Sequence, residues 1–270
     1  MSTFLLGVGA QKAGTTWLHR YIQSSESTDL GFAKEYHIWD ALNCPECARF
    51  RVESRLPLRP NKFRRWRMQR NPDYYFNYFK RLLTRDGVEL TGDITPSYSC
   101  LSSYVFEQIH AACQARGMQL KVVFLMRDPV QRCWSAVRMH RRKGKTRDDV
   151  DLRAEEEEAV LRYYQSPNAR IRTRYDWTIQ ALEAAIPRQN LFYGLYEELF
   201  CEAEIDRLSS FLGLESRHEF ADNRFNISKP QSALGDETAR RIAEESREVY
   251  QFCAARLPQI RQIWSGYQYL

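Results

Sequence analysis

The chain of 270 residues is 43% hydrophobic and 27% charged, with a net charge of +6. That balance excludes a disordered polymer and allows a sizeable core, while the modest positive charge suits an anionic partner without naming it. No stretch approaches the roughly 18 apolar residues that span a bilayer. The first strand starts almost at Met1 without a basic flank, so no signal peptide and a cytoplasmic location are expected.

Apolar runs bounded by turn signals predict strands at 3–8, 88–91, 121–126 and 190–195, with a short one through Leu30 to Ala33. Helical periodicity places Trp17, Leu18, Tyr21 and Ile22 on one face, Tyr75, Tyr78, Phe79 and Leu82 on a second, and Val105, Ile109 and Ala112 on a third. Strands alternating with helices predict an α/β fold, a central mainly parallel sheet flanked by helices. No repeat or linker divides residues 1–270, which read as a single domain. Strand signals vanish at about 41–86 and 141–170, read as helical insertions. From about 199 the chain is mostly helical, with an irregular stretch at 213–236.

The first strand runs into "GAQKAGTTWL", residues 9–18. A strand, a loop with Gly9 and Gly14, and then a helix place backbone N–H groups and a positive helix end around one anion. Thr15 and Thr16 add hydroxyls and Lys12 adds a mobile charge. A triphosphate loop would carry a lysine and then a hydroxyl residue directly after the second glycine, and here Thr15 stands there. Two glycines in a tight strand-to-helix turn are the plainer reading.

In "KVVFLMRDPVQRCWS", 121–135, Arg127 emerges from a strand end, where open α/β sheets bind ligands. Pro129 can start the next helix, which carries Arg132 and Ser135. Arg127 and Ser135 could address one phosphate, or be a surface charge and a helix filler. In "AKEYHIWD", 33–40, an extended segment would put Glu35 and His37 on one side, where a carboxylate beside an imidazole can accept a proton. A charged strand edge is the alternative.

Together these residues resemble the sulfotransferases that use 3′-phosphoadenosine 5′-phosphosulfate (PAPS), the heparan-type and bacterial members in particular. The resemblance runs from about 4 to 230, with little in 41–86 and 141–185. It implies the sulfotransferase version of the P-loop nucleotide-kinase-like fold. It implies that Gly9, Gln11, Lys12, Ala13, Gly14, Thr15 and Thr16 hold the 5′-phosphosulfate, and that Arg127 and Ser135 hold the 3′-phosphate. Glu35 is then the general base, His37 assists it, Lys12 is catalytic and Lys34 lies near the acceptor. "TGDITPSYS", 91–99, is similar to a family stretch on the acceptor side, implicating Asp93, Thr95, Ser97 and Tyr98; Ile94 stands where some heparan-type members have lysine. "NRFNISKPQ", 223–231, resembles a late loop closing over PAPS through Asn226, Ser228 and Lys229. The implied reaction is in-line sulfuryl transfer to a hydroxyl or amine of a carbohydrate, lipid or small metabolite, leaving adenosine 3′,5′-bisphosphate and requiring no metal.

Two rival readings stand beside it. Residues 49–70 hold nine basic side chains and one acidic one, interleaved with Phe50, Phe63 and Trp66, as in a single-strand nucleic-acid groove. No nucleic-acid motif accompanies them, so a solvated helix face or a surface for an anionic acceptor is preferred. A small-molecule kinase would use the same loop but lacks its Lys-Ser/Thr. Seven cysteines at irregular spacing read as reduced thiols; Cys44 and Cys47 form the one CxxC pair, and no second pair supplies further ligands for a metal.

Overall fold

A computed structural model describes residues 2–53, 59–144, 150–223 and 234–270. Five strands, β1 (Thr3–Gly9), β2 (Thr28–Asp29), β3 (Leu90–Ile94), β4 (Gln119–Met126) and β5 (Leu191–Leu195), form one sheet in the order β2-β3-β1-β4-β5. Every pairing is parallel. The predicted α/β class is the observed one. Both faces of β1 are covered, which is why it reads as an unbroken buried run instead of an alternating one.

The second strand departs from expectation. It occupies Thr28–Asp29, and 30–38 form turns and irregular backbone. Gly31 at φ 76° and its N–H on the Asp29 carboxylate turn the chain away from the sheet. The segment carrying Glu35 and His37 is therefore a loop and not a strand end.

The helices are α1 (Thr15–Gln23), α2 (Trp39–Asn43), α3 (Pro60–Arg70), α4 (Pro72–Leu82), α5 (Ser103–Gln114), α6 (Pro129–Lys143), α7 (Glu156–Tyr164), α8 (Pro167–Thr173), α9 (Tyr175–Ala185), α10 (Glu202–Leu212), α11 (Asp236–Glu245), α12 (Arg247–Arg256) and α13 (Ile260–Ile263). Both stretches without strand signals are helical where described. α4 shows why: Asn71 caps it on the Tyr74 N–H, Pro72 fills its first position, and Tyr75, Phe76, Phe79 and Leu82 are buried on one face. Burying each of these side chains is worth about 1.5–3 kcal/mol. They pack with the strands into a single hydrophobic core. Among the described residues no helix is long and apolar enough to cross a membrane.

Topology sets the place of the site. From β1 the chain moves to β3 and β2 on one side of the sheet and to β4 and β5 on the other. The switch point therefore lies at the C-terminal ends of β1 and β4, where open α/β sheets leave a crevice. β1 delivers the glycine loop there and β4 delivers Arg127. Gly14 caps α1 at φ 91°, and a Cβ on it would meet Leu199 at 2.5 Å. Gly14→Ala is expected to destabilise the fold by about 1–3 kcal/mol, through the left-handed backbone and the clash, read from the midpoint of urea unfolding.

Candidate active site

A cavity of about 290 Å³ opens at this crevice. Gln11, Lys12, Gly14, Thr15, Thr16, Lys34, Glu35, His37, Ser97, Arg127 and Ser135 all line it. These residues come from four separate stretches of sequence, and the fold brings them to one place. Gly9 and Ala13 are buried beneath the loop: Ala13 spends its N–H on the Ala10 carbonyl at 3.1 Å, and a Cβ on Gly9 would meet the Pro96 carbonyl at 2.6 Å. They shape the loop without lining the cavity. Phe225, Asn226, Ser228 and Lys229 lie outside the described residues.

Lysines and arginines dominate the lining. Eight of them face the cavity against one carboxylate, Glu35. Lys12 sits on left-handed backbone, φ 70°. Burial and then the charges of Arg127, Arg142, Lys143 and Arg138 push its pKa down to about 8. Arg127 donates to the Lys12 carbonyl at 3.2 Å and lies over the Tyr196 ring at 4.2 Å, while its Nε has no hydrogen-bond partner among the described residues. Its neighbour Asp128 caps α6 and accepts from Tyr250, Ser265 and the Gly266 N–H, which pins the strand end to the C-terminal segment.

The helix after Arg127 contributes more than Ser135. Arg138, Met139, Arg142 and Lys143 share its cavity face, at three, four, seven and eight residues beyond Ser135. That spacing was present in the sequence and is the signal that finds them. Arg138 packs its guanidinium 4.0 Å over Trp134, leaving its Nε and Nη1 buried without a hydrogen-bond partner. Arg132 faces the other way: it is fully buried and donates to Tyr163 and Cys133.

Glu35 and His37 meet across the loop, Oε2 to Nε2 at 3.3 Å. Behind them His37 Nδ1 bonds the fully buried Asp40 at 2.7 Å, and Ser97 donates to the same Asp40 oxygen. The ring of His37 is stacked on Phe50 with centroids 3.6 Å apart. Burial opposes a charge on His37, but the bonds to Asp40 and Glu35 outweigh it and raise its pKa to about 9. Burial likewise works against ionised Glu35, yet His37 and Lys34 hold its pKa below the usual value. At neutral pH His37 is therefore an imidazolium facing the Glu35 carboxylate. Lys34 reaches from Glu35 (3.4 Å) to the Thr16 hydroxyl (2.7 Å), tying this group to the start of α1.

Asp93, Thr95 and Tyr98 correct the expectation of an acceptor surface. All three are fully buried and none lines the cavity; of the four residues implicated there, Ser97 alone does. Asp93 accepts from Tyr75, Tyr98 and Thr95. The Thr95 and Tyr98 oxygens in turn accept the N–H groups of Tyr36 and Ile38. The polar residues at the end of β3 are used up in holding the Glu35–His37 loop.

Within the basic segment 49–70, Arg65 and Gln69 brace the same loop, while Arg59, Lys62, Arg64 and Arg67 are exposed. Arg65 donates to the Glu35 carbonyl at 2.8 Å, and Gln69 donates to the His37 and Phe50 carbonyls. Arg51 and Arg70 bond the Ala41 and Val52 carbonyls. Phe63 stacks on Trp66, and Arg70 lies over Trp66. Arg49 and Phe50 reach the cavity wall.

Because the pKa of His37 is raised on folding, its stabilisation is complete below about pH 6.5 and is lost as pH rises through about 9. The stability difference between the wild type and His37→Gln is therefore expected to be largest at pH 6 and to shrink by pH 9.5. Urea unfolding of both proteins at the two pH values measures it.

No family model matches the sequence, and no curated protein matches it. Solved structures do. The chain is similar to a sulfotransferase from Alicyclobacillus acidocaldarius, with 18% identity over 94% of this chain and 95% of that one and a TM-score of 0.62. A sulfotransferase domain from the curacin biosynthetic pathway matches with 14% identity over 91% and 97% of the two chains, TM-score 0.50. The sulfotransferase STF9 from Mycobacterium avium matches with 13% identity over 94% and 76%, TM-score 0.51. At these identities the likeness is one of architecture: the chain has the sulfotransferase fold.

Proposed function

We propose that the chain transfers a sulfuryl group from PAPS to a hydroxyl or amine acceptor. One observation carries this reading. The glycine loop with Lys12, the Arg127–Ser135 pair and the Glu35–His37 pair, three motifs far apart in the chain, line one cavity. The polar groups left over there suit an anion rich in phosphate and sulfate oxygens. Among the described residues, Arg127 Nε and two Arg138 nitrogens are buried donors without acceptors. The lining offers, among the described residues, one carboxylate and eight cations, a poor donor set for the Mg²⁺ that a kinase needs.

PAPS, when bound, supplies the activated sulfuryl group and the adenosine 3′,5′-bisphosphate that leaves. Lys12, the Thr15 and Thr16 hydroxyls and the first N–H groups of α1 would meet charge developing at the 5′-phosphate end. Arg127 and Ser135 would fix the 3′-phosphate, with Arg138 beside them. Trp17, Tyr196 and Phe200 give the cavity an aromatic side suited to a base. Glu35 would take the acceptor's proton; His37, held by Asp40 and Phe50, keeps its carboxylate ionised and oriented. The positive lining favours a carbohydrate, lipid or small metabolite that is itself anionic. The segment 49–70 is read as the brace of this loop instead of a nucleic-acid groove, since Arg51, Arg65 and Arg70 bond their own chain.

Transfer from ³⁵S-labelled PAPS to an acceptor panel tests the reaction. Glu35→Gln is expected to lower turnover by about 10²–10⁴ while affinity for adenosine 3′,5′-bisphosphate stays within a few-fold; near-normal turnover would remove Glu35 as the base. Calorimetry separates the donor from ATP. Adenosine 3′,5′-bisphosphate is expected to bind without metal and more tightly than ATP–Mg²⁺. Lys12 must be charged to hold the anion, so this affinity is expected to fall about tenfold per pH unit above pH 8. Lys12→Met should weaken binding and flatten that dependence.

A further inference from the structure

Cys44 closes α2, Cys47 lies in the 3₁₀ turn Pro45–Phe50, and Cys100 ends the 3₁₀ turn Pro96–Cys100. In sequence only the first two are neighbours. In the fold all three sulfurs lie within 4.8 Å of one another. Cys44 is 3% exposed and Cys47 is fully buried. A buried free cysteine ordinarily packs as a small apolar group among apolar side chains. These three instead pack on each other, brought together by two segments some fifty residues apart.

A carboxylate lies beside one of the sulfurs. The Glu46 carboxylate accepts from the Cys44 sulfur at 3.2 Å, from between the two cysteines of the CxxC pair. Thiolates about 2.3 Å from one tetrahedral ion stand about 3.8 Å apart, so the observed spacing needs only a small contraction. A disulfide would use two of the sulfurs and leave the third beside it; a tetrahedral ion uses all three.

We propose that Cys44, Cys47 and Cys100 bind one zinc-class divalent cation, its fourth position taken by water. The ion displaces the thiol protons, which pass to solvent as the three sulfur–metal bonds form. None of the three cysteines lines the cavity, so the ion's role is structural. It ties the turn that carries Arg49 and Phe50 to the turn that carries Ser97. His37 stacks on Phe50 and shares Asp40 with Ser97, so the ion would clamp the wall behind Glu35. The site stands on sulfur geometry alone and does not depend on which group the cavity transfers.

The full chain, purified under reducing conditions without chelator, is expected to carry close to one zinc per molecule by elemental analysis. Stripped of metal and titrated with Co²⁺ alone, it should develop sulfur-to-cobalt charge transfer and the visible bands of a tetrahedral site. These bands should saturate at one ion per chain and be displaced by Zn²⁺. Cys100→Ser and Cys44→Ser should each weaken Co²⁺ binding at least tenfold, while Cys201→Ser, at an exposed cysteine, should leave it unchanged. The cobalt spectrum of the unaltered chain decides the matter if a variant fails to fold. Absence of tetrahedral bands on the reduced protein overturns the proposal. So does a mass showing two of these thiols joined as a disulfide in the same buffer.

Discussion

Lys12 is half-buried where four other cations press on it, and much of the site follows from that repulsion. Like charges gather only when a rigid frame prevents them from separating, and here the frame is a parallel sheet with both faces covered. β1 and β4 are adjacent strands, so the loop after one and Arg127 after the other cannot move apart without breaking the ladder between them. α6 then brings Arg138, Arg142 and Lys143 up the same side. The arrangement is unfavourable until an anion enters, and relief of that repulsion is what an anionic ligand would gain on binding.

The Glu35–His37 side of the cavity is built on the opposite charge. Asp93 is a carboxylate with no exposed surface, and burial raises its pKa to about 6 despite three hydroxyls that donate to it. Such a group is costly to bury, and the cost is offset only if every donor is in place. Two of those hydroxyl oxygens also accept the N–H groups on either side of His37. The backbone there is thus held from β3 and its following turn, and His37 takes φ 54°. Among the described residues, Lys12 and His37 are the two outside glycine with positive φ. Uncommon backbone of this kind persists where surrounding bonds over-determine it, and both cases fall in one cavity.

This explains which parts of the site could be read from the amino-acid order. The glycine loop and the Arg127–Ser135 pair are each contained in one strand-to-helix unit, so local pattern was enough. The cavity face of α6 was equally local, since Arg138 and Arg142 follow Ser135 at helical spacing. The loop at 34–38 was different. Alternation suggested an extended strand, but its shape is imposed by Thr95 and Tyr98, about sixty residues away. Asp93, Thr95 and Tyr98 looked like surface chemistry because polar residues at a strand end usually are. Their burial depends on Tyr75 from α4, which no local pattern links to them. Asp40 escaped notice for the same reason: three residues after a histidine it reads as helix, until Ser97 and His37 converge on it.

Lys34 joins the two halves. Its ammonium bridges the Glu35 carboxylate and the Thr16 hydroxyl, so the charge on Glu35 is felt at the start of α1. In the proposed reaction Glu35 becomes neutral as it takes the acceptor's proton, and its hold on Lys34 weakens at that moment. The ammonium is then freer to serve Thr16 and the negative charge building beside it. Proton removal on one side of the cavity and charge stabilisation on the other would thus be linked through a single side chain. The link exists because a loop braced from β3, and not a strand, carries Lys34 across to α1.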